Sequence, residues 1–477
     1  MKIIPIAHPL HASVRVPGSK SLTNRALLIA ALADGTTRLT NALFSDDSLY
    51  FADALKRLGF DVHFDTPLIP PIFGVQNGGT QGGAPEMTVT GFGGRIPAKK
   101  ADLFIGNAGT AARFLSAFLT LGAGEYILDG DSRMRERPIG DLVEALEQLG
   151  AKVEPVNRES PHRQFICPPI EITASGLPGG RASIAGDISS QFLSALLMVA
   201  PYAQNPVVLT LSTELNSKPY VDMTLAVMQD FGVEIRRNGY QSFSVPLTHY
   251  AVRNTPYSIE SDASAASYFF AAPAILGGSV RVENISRRSK QGDMAFLDVL
   301  QQMGCVVTEG ADYIEVSGPI GRGSGDPRLT NNPAAVGQGS TLTGTRPDPA
   351  QLRGVDVDMR DIPDTAQTLA AIAPFASGPT RIRGIASARV KETDRVAAMC
   401  TELTRLGVDV EEHPDGLTIQ PCENIRPAIV QTYNDHRMAM AFALVGLRAP
   451  GVTIENPGCV SKTFPDYFKA LDLLRIT

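Results

Sequence analysis

The residues best suited to chemistry in this chain are cations and small hydroxyl side chains, gathered in short phrases just where a helix is set to begin. PGSKSLTNR places Lys20, Ser21 and Arg25 at the start of one apolar run, and GNAGTAAR places Gly109 in a turn ahead of another. DISSQ carries Ser189, Ser190 and Gln191, IPDTAQ carries Asp364, and YNDHR carries Arg437. Around these starts lie RMRERP with Arg133, RVKETDR with Lys391 and Arg395, and SKTFPDY with Lys462. A helix N-terminus exposes unpaired N–H groups and a partial positive charge, so phosphate and carboxylate oxygens bind there. One such terminus contributes about 0.3–1 kcal/mol toward holding an anion, and each charge-assisted hydrogen bond about 1.5–3 kcal/mol. Any single phrase alone reads as an ordinary helix cap or a solvated face, and His436 reads as a structural histidine. The repetition carries the meaning: cations recur at most of the polar starts, so small, multiply charged anions are the expected ligands. The GNAGT turn lacks both GxGxxG and GxxxxGK[ST], so it matches neither a dinucleotide site nor a P-loop.

Bringing these phrases together requires a fold in which distant segments converge, and internal repeats supply one. ALKRLGFDVHF, ALEQLGAKVEPV, VMQDFGVEIRR, VLQQMGCVVTEG and ELTRLGVDVEEH are variants of one segment. Each is a helix with one apolar stripe, a glycine suited to the left-handed C′ position, and a β-branched strand. FKALDLLRIT ends the chain as a sixth copy without the glycine. Upstream of each copy lies a second helix, from SLTNRALLIAALADG to DHRMAMAFALVGLRAPG, that is apolar on nearly every side and is predicted to be buried. The unit is therefore buried helix, strand, surface helix, strand, with further strand material between units. Six units, three on either side of about residue 250, predict an α/β protein of two similar domains, each holding three buried helices inside a ring of sheets. The crossing is expected in PLTHYAVRNTPYSIE, and the cationic phrases can meet only in a cleft between the domains. The Gly/Pro-rich stretches 66–98 and 320–352 are predicted to be long surface loops inserted in the second and fifth units.

Composition agrees with this. At 477 residues two domains are the default, and 43% hydrophobic content supports large cores. A net charge of -6 with 6% aromatics and no tryptophan argues against nucleic acid and anionic lipid as partners. Cys167, Cys305, Cys400, Cys422 and Cys459 are dispersed without paired spacing, which fits a reducing cytoplasm and neither a disulfide framework nor a metal site. No apolar run approaches the roughly 18 residues that span a bilayer. The opening MKIIPIAHPLHASVRV reads as a mature terminus with no targeting peptide, so a cytoplasmic protein is expected.

Taken together and in order, PGSKSLTNRALLIAALADG, GNAGTAARF, RMRERPIGDLVEAL, SSQFLSALLMVAP, SKPYVDMT, IPDTAQT, RVKETDR, NDHRMAMAFAL and SKTFPDYF resemble the 5-enolpyruvylshikimate-3-phosphate synthase family from about residue 13 to the end. The resemblance implies an inside-out α/β barrel in each domain, built of three βαβαββ units, with the first strand lent to the C-terminal domain. The boundaries become 19–250 for the N-terminal domain and 1–18 plus 251–477 for the C-terminal one. It implies a transferase that moves the enolpyruvyl group of phosphoenolpyruvate to the 5-hydroxyl of shikimate 3-phosphate, with no cofactor or metal, working as a monomer. Shikimate 3-phosphate would be held by Lys20, Ser21, Arg25, Ser189, Ser190, Gln191, Ser217, Asp364, Ser387 and Lys391. Phosphoenolpyruvate, and glyphosate in its place, would be held by Lys20, Gly109, Arg133, Gln191, Arg395, Arg437 and Lys462. By the same resemblance Asp364 accepts the hydroxyl proton, Glu392 carries the proton at C3, and Lys20 assists the leaving phosphate. Ser387 stands where the family often has Asn, and Phe114 where many members have Pro. The sister enzyme acting on UDP-N-acetylglucosamine begins its helix Lys-Asn-Ala and has a catalytic-loop cysteine, whereas here KSLTNR stands and no cysteine precedes Cys167. A silent anion-binding protein on the same fold is disfavoured by Asp364 and Glu392 beside the expected cations.

Overall fold

The computed structural model describes residues 1–65, 85–156, 166–319 and 351–475. Helices of two kinds alternate along it: α1 (Lys20–Leu32), α2 (Asp46–Arg57), α3 (Gly109–Leu119), α4 (Gly140–Gln148), α5 (Ser190–Val199), α6 (Lys218–Asp230), α7 (Ala263–Leu276), α8 (Phe296–Gln302), α9 (Ala366–Ile372), α10 (Arg395–Arg405), α11 (His436–Arg448) and α12 (Tyr467–Asp472). The odd-numbered helices are the apolar ones, and α3, α7 and α9 are buried at every residue. Even-numbered helices lie outside; α2 buries Phe51, Ala52 and Leu55 and keeps Lys56 and Arg57 in solvent. Five of these outer helices stop at Gly59, Gly150, Gly232, Gly304 and Gly407, whose φ values of 83° to 105° make them left-handed C′ residues.

Five four-stranded sheets share one pattern: two parallel strands, then an antiparallel pair added to the second of them. Strands Lys100–Phe104 and Ala123–Asp129, for example, pair in parallel across α3, and Ile170–Ser175 and Lys152–Pro155 complete their sheet. A parallel pair needs a crossover, and here the crossover is the buried helix. The sixth sheet, Ala428–Val430 with Val452–Ile454, has two strands, bridged at Thr453 by Lys2.

Two sheets borrow their first strand. Leu10–Arg15 pairs in parallel with Gly278–Glu283, and Tyr257–Ser258 pairs in parallel with Asp34–Thr40. Each strand thus precedes a buried helix of one body while completing a sheet of the other. The two connecting segments run antiparallel side by side: Ser19 donates its N–H to the Glu260 carbonyl at 2.8 Å, and Asp262 donates to that of Pro17 at 2.8 Å. Gly18 has no room for a side chain at this crossing, since a Cβ would stand 1.8 Å from the carbonyl oxygen of Asn41. Two separate apolar cores result, one drawn from Leu22 to Ile259, the other from Ile3–Val16 and Ala263–Leu474.

Two expectations shift against this architecture. Tyr257 and Ile259 still pack in the first core, so the chain leaves it at the end of PLTHYAVRNTPYSIE, after the boundary drawn at 250 and 251. Residues 86–92, expected as loop, form strand Glu86–Phe92 of the first unit, paired with Asp34–Thr40 and Asp61–Asp65. Of the two predicted insertions, 66–84 and 320–350 lie outside the described residues. No helix among the described residues is long and apolar enough to cross a membrane.

Candidate active site

The starts of the buried helices converge between the two cores. A polar void there is lined by Lys20, Asp47, Gly109, Thr110, Arg137, Gln191, Asp364, Lys391, Glu392 and Arg395. Ser189, Gln191 and Lys391 line an adjoining space, and Lys20, Ser21 and Arg437 line another toward the crossing. Residues predicted from separate phrases, hundreds of positions apart, therefore share one site. The start of α3 has no side-chain cap, so the N–H groups following Ala108 are available to an anion. The starts of α5 and α11 are capped from within, by Ser189 and Asp435.

Other predicted residues tie the two bodies together. Arg133 donates across the cleft to the carbonyls of Lys391 at 2.9 Å and Glu392 at 3.1 Å. Lys462 reaches Asp47 at 2.5 Å and the carbonyl of Asn107 at 2.6 Å. Ser217, in a left-handed conformation, donates to the Arg360 carbonyl at 3.1 Å. Arg25 lies behind the void, donating to Thr224, Ser194 and the carbonyls of Ser21 and Tyr220, with the Phe114 ring 5.4 Å from its guanidinium carbon. Phe114 is fully buried on α3 and is not among the residues that line the void. Ser190 is buried in the first turn of α5, and Ser387 is half-buried on the turn Ala386–Val390.

One guanidinium organises the carboxylates. Arg395 donates Nη1–H to Asp364 at 3.0 Å, Nη2–H to Glu392 at 2.8 Å and Nε–H to Asp435 at 2.8 Å. Arg437 adds a second bond to Asp364 at 2.7 Å. Burial pushes the Asp364 carboxyl up, but Arg437, Lys391 and Arg395 outweigh it and hold the group far below its ordinary range. The same holds for Glu392, where burial is outweighed by Arg395, Arg137 and Lys462. Both carboxylates rest ionised. Burial lowers Lys391 to about 8 in spite of Asp364 beside it, and burial with Arg437 nearby keeps His436 neutral. Among the described residues no group of His, Cys, Asp and Glu side chains is arranged to hold a metal ion.

Sequence reasoning missed several members. Asp47 sits in the first turn of α2, where an acidic residue reads as a helix-dipole partner, yet it bonds Lys462 and lies 3.5 Å from Lys20. Asp435 caps α11 through the Arg437 N–H and also anchors Arg395. Arg137 belongs to the same RMRERP phrase as Arg133, and nothing local distinguishes the arginine that faces the void. Tyr220 donates its hydroxyl to Asp293 of the other body at 2.9 Å, a pairing that no spacing reveals.

The family model described as EPSP synthase (3-phosphoshikimate 1-carboxyvinyltransferase) matches residues 4–471. A 3-phosphoshikimate 1-carboxyvinyltransferase of Nostoc punctiforme is 47% identical over 469 residues, covering 98% of this chain and 97% of its own. One from Vibrio atlanticus is 45% identical over 464 residues, covering 97% and 96%. The solved EPSP synthase of Acinetobacter baumannii shares the fold with a TM-score of 0.72 at 23% identity, over 99% of this chain and 97% of that one. The enolpyruvyl transferase NikO from Streptomyces tendae does so with a TM-score of 0.71 at 18% identity, over 99% and 96%. With a match of that extent and identity along nearly its whole length, the chain belongs to the EPSP synthase (3-phosphoshikimate 1-carboxyvinyltransferase) family.

Proposed function

We propose that this chain transfers the enolpyruvyl group of phosphoenolpyruvate to the 5-hydroxyl of shikimate 3-phosphate, with release of phosphate, in the cleft between the two bodies. The observation that carries the reading is the pair of ionised carboxylates, Asp364 and Glu392, on one Arg395 guanidinium facing the uncapped start of α3. Shikimate 3-phosphate lies along Ser21, Ser189, Ser190, Gln191, Ser217 and Lys391, with Arg25 as the cation behind it and Ser387 at the edge. Phosphoenolpyruvate lies along Lys20, Gly109, Arg133, Arg395, Arg437 and Lys462, and glyphosate competes for the same place.

Asp364, kept ionised by its cations, takes the proton of the 5-hydroxyl as the oxygen bonds to C2 of the donor. C3 gains a proton in the same addition, giving a tetrahedral ketal. Elimination then removes a proton from C3 and expels phosphate, whose negative charge Lys20 and the other cations stabilise. Glu392 takes up a proton before the addition, against its low resting proton affinity, gives it to C3 and takes it back as base in the elimination, while the proton gained by Asp364 leaves with the phosphate. The discriminating experiment is phosphate release from phosphoenolpyruvate with shikimate 3-phosphate or with UDP-N-acetylglucosamine as acceptor. Turnover with the former alone supports the reading, and turnover with the latter alone overturns it.

A further inference from the structure

Arg137 stands at the centre of the site without an assigned part in it. Its side chain is 4% exposed, and its guanidinium lies directly over the Cα of Gly109: a Cβ built there would come within 2.4 Å of Nη2 and 2.8 Å of Cζ. Its Nη1–H groups donate to Asn107, to the side-chain oxygen at 2.8 Å and the carbonyl at 3.2 Å, and Nη1 stands 3.8 Å from the Glu392 carboxylate. Nε has no hydrogen-bond partner among the described residues. A guanidinium buried between the GNAGT turn and Glu392 and bonded to Asn107 couples the shape of the one to the placement of the other, so a methyl group at 109 can be admitted only by shifting it out of those contacts.

We propose that Arg137 is a positioning residue of the donor site: packed on Gly109, it holds the Glu392 carboxylate in place, and a side chain at position 109 acts by displacing it. The proposal rests on the reading that Gly109 lines the donor's place. It makes glycine necessary here for a reason internal to the protein, since a methyl group at 109 would push on Arg137 before any substrate arrives. Six charged or titratable groups bear on Glu392: Arg395, Arg137, Lys462, Lys391, Arg113 and the neutral His436. Loss of Arg137 removes one cation from that set, so Glu392 would bind its proton more readily.

The test is a double-mutant cycle of Gly109→Ala and Arg137→Met, read as KM for each substrate, kcat and the acid limb of the rate profile. Gly109→Ala is expected to raise KM for phosphoenolpyruvate about tenfold in the wild-type background, and by no more than about twofold on Arg137→Met, because the displaced group is already gone. Arg137→Met alone is expected to lower kcat and move the acid limb to higher pH; Arg137→Lys, which keeps a cation, returns the limb toward wild type. Should Arg137→Met fail to fold, Arg137→Lys serves in the same cycle, since its flexible ammonium gives way to a methyl group. A penalty for Gly109→Ala that carries over undiminished, or an acid limb that does not move, overturns the role of Arg137. Equal rises in both KM values for Gly109→Ala in the wild-type background would instead overturn the donor-site reading beneath it.

Discussion

At the scale of single residues, function here depends on neutralising buried charge without spending it. Arg395 is fully buried and touches three carboxylates, an arrangement whose desolvation is tolerable because each donor has an acceptor. Removing the exchangeable proton from Glu392 while keeping its shape therefore tests chemistry more than folding. Glu392→Gln is expected to lower kcat by about 10²–10⁴-fold with dissociation constants changed only a few-fold. Solvent deuterium entering C3 of phosphoenolpyruvate is the direct readout, and exchange at the wild-type rate would remove Glu392 from the proton path. Lys391 gives a second handle. With its ammonium lowered to about 8, it is charged below that pH and loses its charge as pH rises through it. The kcat/KM for shikimate 3-phosphate is expected to fall on the alkaline side, and Lys391→Arg to carry that limb upward, since a guanidinium stays protonated.

At the scale of elements, the site is a set of helix starts, so what caps them decides how open they are to ligands. The α3 start is left free, whereas Asp262 caps α7 through the Ala265 N–H at 2.8 Å and also accepts from the Lys20 N–H at 3.1 Å. One carboxylate thus closes the first turns of two helices in different bodies. Asp262→Ala is expected to cost about 1–2 kcal/mol, at the upper end for a lost cap, because two donors are orphaned instead of one. Thermal or urea denaturation measures this, and a loss no larger than that from Asp394→Ala at the single cap of α10 would show that the second bond adds nothing.

At the scale of the whole molecule, the two cores share no apolar continuity among the described residues; they are joined by two crossing segments and by polar contacts over the cleft. Bodies joined this way move against one another unless a ligand bridges them. Saturation with shikimate 3-phosphate is expected to reduce the radius of gyration measured by small-angle scattering, and Arg133→Ala, without its bonds to the Lys391 and Glu392 carbonyls, to compact less. An unchanged radius in the wild type would sink this. The Tyr220–Asp293 contact adds a pH dependence. Burial, with Asp364 nearby, pushes the Asp293 carboxyl up to about 7, from an ordinary value of 3.8. The folded state then holds the proton more tightly than the unfolded one between those values, so this group's contribution to stability falls as pH rises through that window. Asp293→Asn removes the effect, and its melting temperature is expected to exceed the wild type's at pH 8 and to converge with it near pH 4.

Six repeats, the alternation of buried and surface helices, the left-handed glycines from Gly59 to Gly407 and the cationic phrases are all local patterns, legible because a helix writes its environment into a period of 3.6 residues. The same patterns, taken as a set, are enough to identify the family. Beyond their reach lay which partner each group meets. The family resemblance already implied that the first strand, Leu10–Arg15, serves the C-terminal body, but that Tyr257–Ser258 completes the other body's sheet in return depends on backbone pairing, to which side chains contribute little that is specific. That Glu86–Phe92 is a strand was masked by the Gly/Pro-rich run before it, although EMTVTGF sets Met87 and Val89 between polar positions with the alternation of a half-buried strand. Asp47, Asp435 and Arg137 read as caps or surface charge in one dimension, and only folding carries them against Lys462, Arg395 and Gly109. Ion pairs and close packing are settled by distances of a few ångströms between residues tens to hundreds of positions apart, and such distances exist only once the tertiary structure has formed.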